Sequence, residues 1–534
     1  MQQTSDPIVI IVGGFMILMA IGCVVAFALG IRGGFVRGQV WYWWRLLPYL
    51  IGRRTRRGDD MGALHLIERI LRGRTVQAAP VVACTVFRQQ ASVLRRLHRE
   101  EEALQVLRSL ATDIVARAPA SSAPYVAEIR HEAAECLRTL GRPAAAREER
   151  LLALEALDGM KRGTATATSE ARRGRLLHVE QRYKEASAAF TAALELLPTK
   201  HLPAALSFLL EYADALYRSH QYALCLEIAA EMIRWGETGE RLLMAYRLAG
   251  CAARQLCDTS LARTWFEREA EEALRQGNVH YQMLSALDLT RLSLLAANAG
   301  AAEQHLTRAE TMAVTDTDRL SVLRMRAASR TFWGDIAEAA AITTAADAQS
   351  ATLPEDQRAA DRTISVMTRL WLASIEEAPS KALALLDAAP DLSPDSEPNA
   401  LEIQALRVWA DAAVTPCEET ARAVADLGPR IAAAADSHPE WGMEIKDAFY
   451  LLSKAALCVG DGNLGLQYAE AYRRFSYGAP ILAPDYWYLV GECHAGAGNE
   501  AAAHAAWQKA VALGIDTLAA RKAAQRLEGA LPQR

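Results

Sequence analysis

The sequence predicts an all-α protein, a run of helical hairpins behind a membrane anchor, and three observations carry that prediction. Hydrophobic residues make up 51% of the 534 positions but aromatics only 7%, so the apolar content is mostly Ala and Leu, both strong helix formers. A pattern of small residue, aromatic and proline recurs along the chain at intervals of tens of residues, the sign of a repeat architecture. An uncharged run near the start is followed at once by basic and aromatic residues.

From Pro7 to Ile31, 25 residues pass without a charge. About 20 apolar residues at roughly 1.5 Å rise each are enough to cross a bilayer core. Residues 8–30 are therefore expected to form a single transmembrane helix, with 1–7 a short exterior tail. A cleaved signal peptide would need a basic leader, and "MQQTSDP" has neither Lys nor Arg. Arg32, Arg37 and Arg45 follow the span and no basic residue precedes it. Positive charge stays inside, so the N-terminus is expected outside and the rest in the cytoplasm, as at a bacterial inner membrane.

Residues 31–60 include "QVWYWWRLLPYLIGRRTRRGDD". Phe35 to Ile51 is too short for a second crossing and, with Arg37, Arg45 and Pro48, too polar. It reads as an interfacial segment, with Trp41, Trp43 and Trp44 at headgroup depth and Arg53, Arg54, Arg56 and Arg57 against anionic headgroups.

A net charge of −4 argues against a partner bound by the whole chain's field, such as duplex nucleic acid. Only 8 of the 59 basic residues are lysine. That bias is read either as GC-rich coding or as a preference for bidentate anion contacts. Nine cysteines without a C-x-x-C pair read as free thiols in a reducing compartment, not as a disulfide frame or zinc site.

The repeat is clearest in "RYKEASAAFTAALELLP", Arg182 to Pro198. Ala186 and Phe190 lie four apart on one helix face, so the small residue admits a neighbouring helix while the ring fills the space beside it. The segment resembles helix B of a tetratricopeptide repeat, and Gly174, twelve residues earlier, matches the small residue of helix A. Gly250, Ala262 and Phe266 repeat the spacing, and Trp487, Gly491, Ala503, Trp507 and Ala510 match both helices. Weaker copies fall at Ala103, Ala146, Cys225, Ala339 and Gly465. With copies interpolated near 300, 380 and 420, the period is about 40 residues, against about 34 for the family. The resemblance is to the membrane-anchored bacterial type. It implies a right-handed α-solenoid of roughly ten hairpins over 61–534, with the Pro-rich "APDLSPDSEPN" at 389–399 the best candidate for a hinge.

Chemistry-bearing motifs are missing. There is no phosphate loop, no G-x-S-x-G elbow and no H-E-x-x-H. In "HEAAEC", His131, Glu135 and Cys136 lack a further ligand, and the neighbours Cys493 and His494 point in different directions on a helix. No catalytic residue, cofactor or metal is expected, nor is an enzyme.

The resemblance further implies that inner helices line a concave channel for a peptide. Its register puts Arg88, Arg95, Arg138, Arg175, Arg218, Arg247 and Arg254 on or near that face, with Glu128, Glu135 and Asp214 among them. Farther along, the same face offers Tyr450, Lys454, Asp485, Tyr488 and Glu492, a mixed aromatic pocket. An acidic or phosphorylated peptide is the expected occupant, a solvated helix face the alternative. The functional expectation is a membrane-anchored cytoplasmic scaffold or adaptor that docks protein partners in its groove. An assembly, quality-control or regulatory subunit of a membrane enzyme or secretion complex is the alternative.

Overall fold

The computed structural model describes residues 50–71, 80–117, 123–159, 166–197, 202–389, 397–476 and 479–529. Helices follow one another as the A and B arms of antiparallel hairpins, and the turn between the arms recurs. Except at residues 415–417, the A arm ends on a residue of left-handed conformation, after which a residue that is polar everywhere but at Ala378 opens the B arm. That position is glycine at Gly141, Gly334, Gly460 and Gly498. Elsewhere it is His98, Gln181, His220, Cys257, Ala297 or Glu377, with φ of 55 to 63°. The next amide returns to a carbonyl five residues back, as in Asp258 to Ala253 and Asn499 to His494, so the open carbonyls of the A arm are satisfied. Asp258, Asn298, Asp461 and Asn499 then cap the B arms through their side chains. Counting the turn at 415–417, His98 and Gly498 are 400 residues and ten hairpin steps apart, about 40 residues per hairpin.

The chain divides into two compact units, residues 1–208 and 209–534. In unit 1, α1 (Asp60–Leu71) precedes three hairpins: α2 (Pro80–Arg96) with α3 (Glu100–Arg117), α4 (Ala123–Thr139) with α5 (Pro143–Asp158), and α6 (Ala167–Val179) with α7 (Tyr183–Glu195). Unit 2 begins within α8 (Leu202–Arg218), which pairs with α9 (Tyr222–Arg234). Its A arms continue as α10 (Gly239–Gln255), α12 (Val279–Leu295), α14 (Asp316–Trp333), α16 (Glu355–Ile375), α18 (Glu397–Val414), α20 (Gly442–Cys458) and α22 (Ala483–Gly496). The matching B arms are α11 (Thr259–Arg275), α13 (Ala299–Met312), α15 (Ile336–Ser350), α17 (Pro379–Ala388), α19 (Glu418–Ser437), α21 (Gly462–Phe475) and α23 (Glu500–Ala512), and an unpaired α24 (Leu518–Gly529) follows.

Close packing explains the small residues. Ala103, Ala146, Ala186, Cys225, Ala262, Ala302, Ala339, Ala382 and Ala503 are at most 1% exposed. Across each specific hairpin an aromatic meets a glycine. A Cβ on Gly174 would lie 2.7 Å from the Phe190 ring and one on Gly250 2.6 Å from Phe266, and Trp507 covers Gly491 in the same way. Helices rich in alanine approach closely, and the few large rings plug the space left between them. Each unit is thus an α-solenoid of tetratricopeptide-like hairpins, whose buried faces pack against neighbouring repeats.

The expectation of a single-pass membrane protein with an exterior N-terminus and a cytoplasmic solenoid is corrected. Among the described residues, no helix is long and apolar enough to cross a membrane. The reason is the repeat itself, which needs polar outer faces. Even the longest helix, α16 with 21 residues, carries Glu355, Asp356, Arg358, Asp361, Arg362 and Arg369. The predicted tail 1–7, the predicted span 8–30 and Trp41, Trp43 and Trp44 lie outside the described residues. Of the four arginines assigned to headgroups, Arg54 pairs with Asp59 at 3.2 Å and Arg56 donates to the Gly52 carbonyl at 3.1 Å. Arg53 and Arg57 are exposed. Most of the predicted hinge, 390–396, also lies outside the described residues.

Candidate functional site

In unit 1 the arginines assigned to a groove stand among carboxylates of the neighbouring hairpins. Arg88 of α2 reaches Glu128 at 2.7 Å and Glu132 at 2.8 Å on α4, and Glu128 also takes Arg172 of α6. Glu149, 6% exposed, is shared by Arg108 at 2.9 Å and Arg130 at 2.8 Å, and Glu180 by Arg147 and Arg150. Arg138 pairs along its own helix with Glu135 at 3.1 Å, while Arg95 and Arg175 are half-buried. Arg88, Arg108 and Arg172 thus meet carboxylates about one repeat away in sequence, which offsets their charge. Burial pushes the His131 imidazole below its usual range despite Glu135, so it stands neutral beside Arg150 and Arg175.

Unit 2 differs, because there the A arms surround a cavity of about 500 Å³. Its wall takes Arg254 and Gln255 from α10, Arg291 and Leu295 from α12, Phe332 from α14 and Trp371 from α16. It continues with Lys446, Asp447 and Tyr450 from α20, Tyr472 from α21, Asp485 and Tyr488 from α22 and Lys522 from α24. Among the groove residues expected from sequence, Arg254, Tyr450 and Tyr488 are therefore brought together. Arg247 is set back against Asp288 at 3.2 Å and Glu269 at 3.8 Å, and Arg218 pairs with Asp214 at 3.0 Å. Arg291, Phe332, Trp371, Lys446 and Lys522 were missed. Their signal was position alone, on the cavity-facing side of α12, α14, α16, α20 and the final helix.

Two sets of long-range contacts hold the cavity together within unit 2. Glu444, at the start of α20, accepts from the Tyr222 hydroxyl and from Gln255, and lies 2.7 Å from His220. On the other side Arg521 donates to the Trp333 carbonyl at 2.8 Å and Lys522 to Glu377 at 2.6 Å. Leu518 packs on Gly334, where a Cβ would clash at 2.7 Å.

Burial tunes the groups around this space. The Trp371 indole N–H is committed to Glu402, whose carboxyl burial, with Asp447 nearby, raises to about 8. Lys454 donates to the Ser374 carbonyl at 2.7 Å and lies 5.1 Å from the Trp409 ring, and burial lowers its ammonium to about 8. Asp485 rises from 3.8 to about 7 through burial and then the neighbouring Asp447. Tyr450 and Tyr472 are held well above the usual range by burial and remain phenols. The site can therefore offer aromatic faces, neutral hydrogen-bond donors and fixed cations. Among the described residues, no three His, Cys, Asp or Glu side chains converge as a metal site would require.

Asp485 makes stability depend on pH with a defined sign. A carboxyl whose folded pKa exceeds its unfolded value is destabilising when ionised, so the stability it contributes at low pH is lost as pH rises from about 4 to about 7. Urea unfolding at pH 5 and pH 8 should show a larger loss for the wild type than for Asp485→Asn. Equal losses would place Asp485 in bulk water.

No protein-family model matches the chain, and no curated protein matches it. Among solved structures it is similar to the APC/C hetero-tetramer Cut9-Hcn1, at 11% identity over 97% of this chain and 94% of that one, with a TM-score of 0.49. It is also similar to a Rap protein complexed with competence and sporulation factor, at 11% identity over 67% of this chain and 99% of that one, with a TM-score of 0.44. Both are tetratricopeptide-type helical repeat proteins.

Proposed function

We propose that this protein is a docking scaffold rather than an enzyme, and that unit 2 holds an acidic or phosphorylated segment of a protein partner in its inner cavity. The observation that supports this reading is the cavity wall, where Lys446 pairs with Asp447 at 2.5 Å and Lys522 with Glu377 at 2.6 Å, while Arg254 and Arg291 add positive charge to a wall that also carries Asp485. Tyr450, Tyr488, Trp371 and Phe332 supply the apolar contact area. Its volume falls in the range of roughly 300–1,000 Å³ typical of ligand sites, and the positive excess favours an anionic occupant. The repeats contribute rigidity. Each A arm is fixed by its B arm, so the wall is preformed and less ordering entropy is lost on binding.

A displayed peptide library selected on the full chain tests this. Enriched peptides are expected to be acidic or phosphorylated and to lose at least about tenfold in affinity to Ala328→Trp, which fills the cavity from α14. Failure to enrich any peptide, or binding untouched by that substitution, would remove the docking reading.

A further inference from the structure

One end of the cavity carries positive charge that the protein itself does not balance. Arg254 is nine-tenths buried, its side chain 10% exposed, and yet it lines the cavity. Its Nη1 has no hydrogen-bond partner among the described residues and stops 3.6 Å from Asp288 Oδ1. Arg291, one A arm farther on, shares that same carboxylate oxygen at 3.3 Å and leaves 44% of its side chain open. Behind them Arg247 takes the other Asp288 oxygen at 3.2 Å and approaches Glu269 at 3.8 Å. Three guanidinium groups thus face two carboxylates. Burial pushes Glu269 well above the carboxylate range, which deepens the excess.

A buried donor without a partner is costly, and a guanidinium is satisfied best by a planar or tetrahedral oxyanion. A single carboxylate would cancel only part of this excess, whereas a phosphate monoester brings roughly −1.5 to −2 charges at neutral pH. Leu295, Phe332 and Trp371 continue the wall from this point and present apolar and aromatic surface.

Building on the docking reading above, we propose that Arg254 and Arg291 form a subsite for a phosphate monoester whose carrier also bears an aromatic ring, with Asp288 orienting both guanidinium groups. Two sources share this chemistry, a phosphorylated tyrosine side chain of a partner and a mononucleotide.

Isothermal titration of the full chain with phenyl phosphate, AMP, benzoate and inorganic phosphate separates the outcomes. Phenyl phosphate should bind at least about tenfold tighter than benzoate or inorganic phosphate. Arg291→Gln, at a side chain open to the cavity, should remove that advantage without lowering the melting temperature, and Arg254→Gln should do the same if it folds. Equal binding of benzoate, an unchanged Arg291→Gln, or no binding of any probe would overturn the phosphate subsite, while peptides blocked by Ala328→Trp would still uphold docking. A tenfold preference for AMP would uphold the subsite, assign it to a nucleotide and overturn the docking of a partner there.

Discussion

Replacing Phe266 with Ala is expected to lower the local unfolding free energy by about 3–5 kcal/mol, the range for emptying the site of a fully buried ring. The ring is 0% exposed and lies where a Cβ on Gly250 would be only 2.6 Å away. Neighbouring helices cannot easily collapse into the gap, because α10 and α11 are each held by the hairpins on either side. In an array stabilised by nearest neighbours the loss should centre on residues 239–275, and hydrogen exchange of the intact chain reads it there. Gly250→Ala alone should also destabilise, by about 1–3 kcal/mol, since the added methyl overpacks the same contact. Combined with Phe266→Ala it should cost less than the sum, because the methyl then enters the space the ring has left. Additive losses would mean that Gly250 and Phe266 do not face each other.

Asp288→Ala should be comparably severe, at about 3–5 kcal/mol, for an electrostatic reason. Asp288 is 2% exposed and is the shared counter-ion of Arg247, Arg254 and Arg291. Removing it strands positive charge in a low-dielectric setting. Arg291 can turn farther into the cavity and recover solvent, but Arg254, with 10% of its side chain exposed, cannot. Asp288→Asn keeps the shape and loses the charge, so it should show most of the same loss by hydrogen exchange across α10 and α12. A loss under about 1 kcal/mol would mean that water already solvates the three arginines.

The readable parts of this chain were the short-range ones. Gly174 with Phe190, Gly250 with Phe266 and Gly491 with Trp507 lie sixteen residues apart, within one hairpin, and their intervals announce both the helix pair and the face that packs. The ion pairs of unit 1 were one step farther off. Arg88 meets Glu132 across 44 residues, one repeat along, so charge at a groove position was visible but its neutralisation was not. The cavity of unit 2 was less legible still. Its wall draws on residues from Arg254 to Lys522, and it is closed by contacts such as Tyr222 to Glu444 and Arg521 to Trp333.

What the sequence by itself determined is therefore the repeating unit: the two arms, the small residue that admits a neighbour and the ring that fills the gap. Those depend on interactions within about 40 residues, the span of one hairpin. Only the tertiary structure decided which arginines stay unbalanced. Charge is neutralised through space, and the rotation between successive hairpins, set by the sum of many packing contacts, determines whether a guanidinium meets a carboxylate, as Arg88 does, or faces a cavity, as Arg254 does.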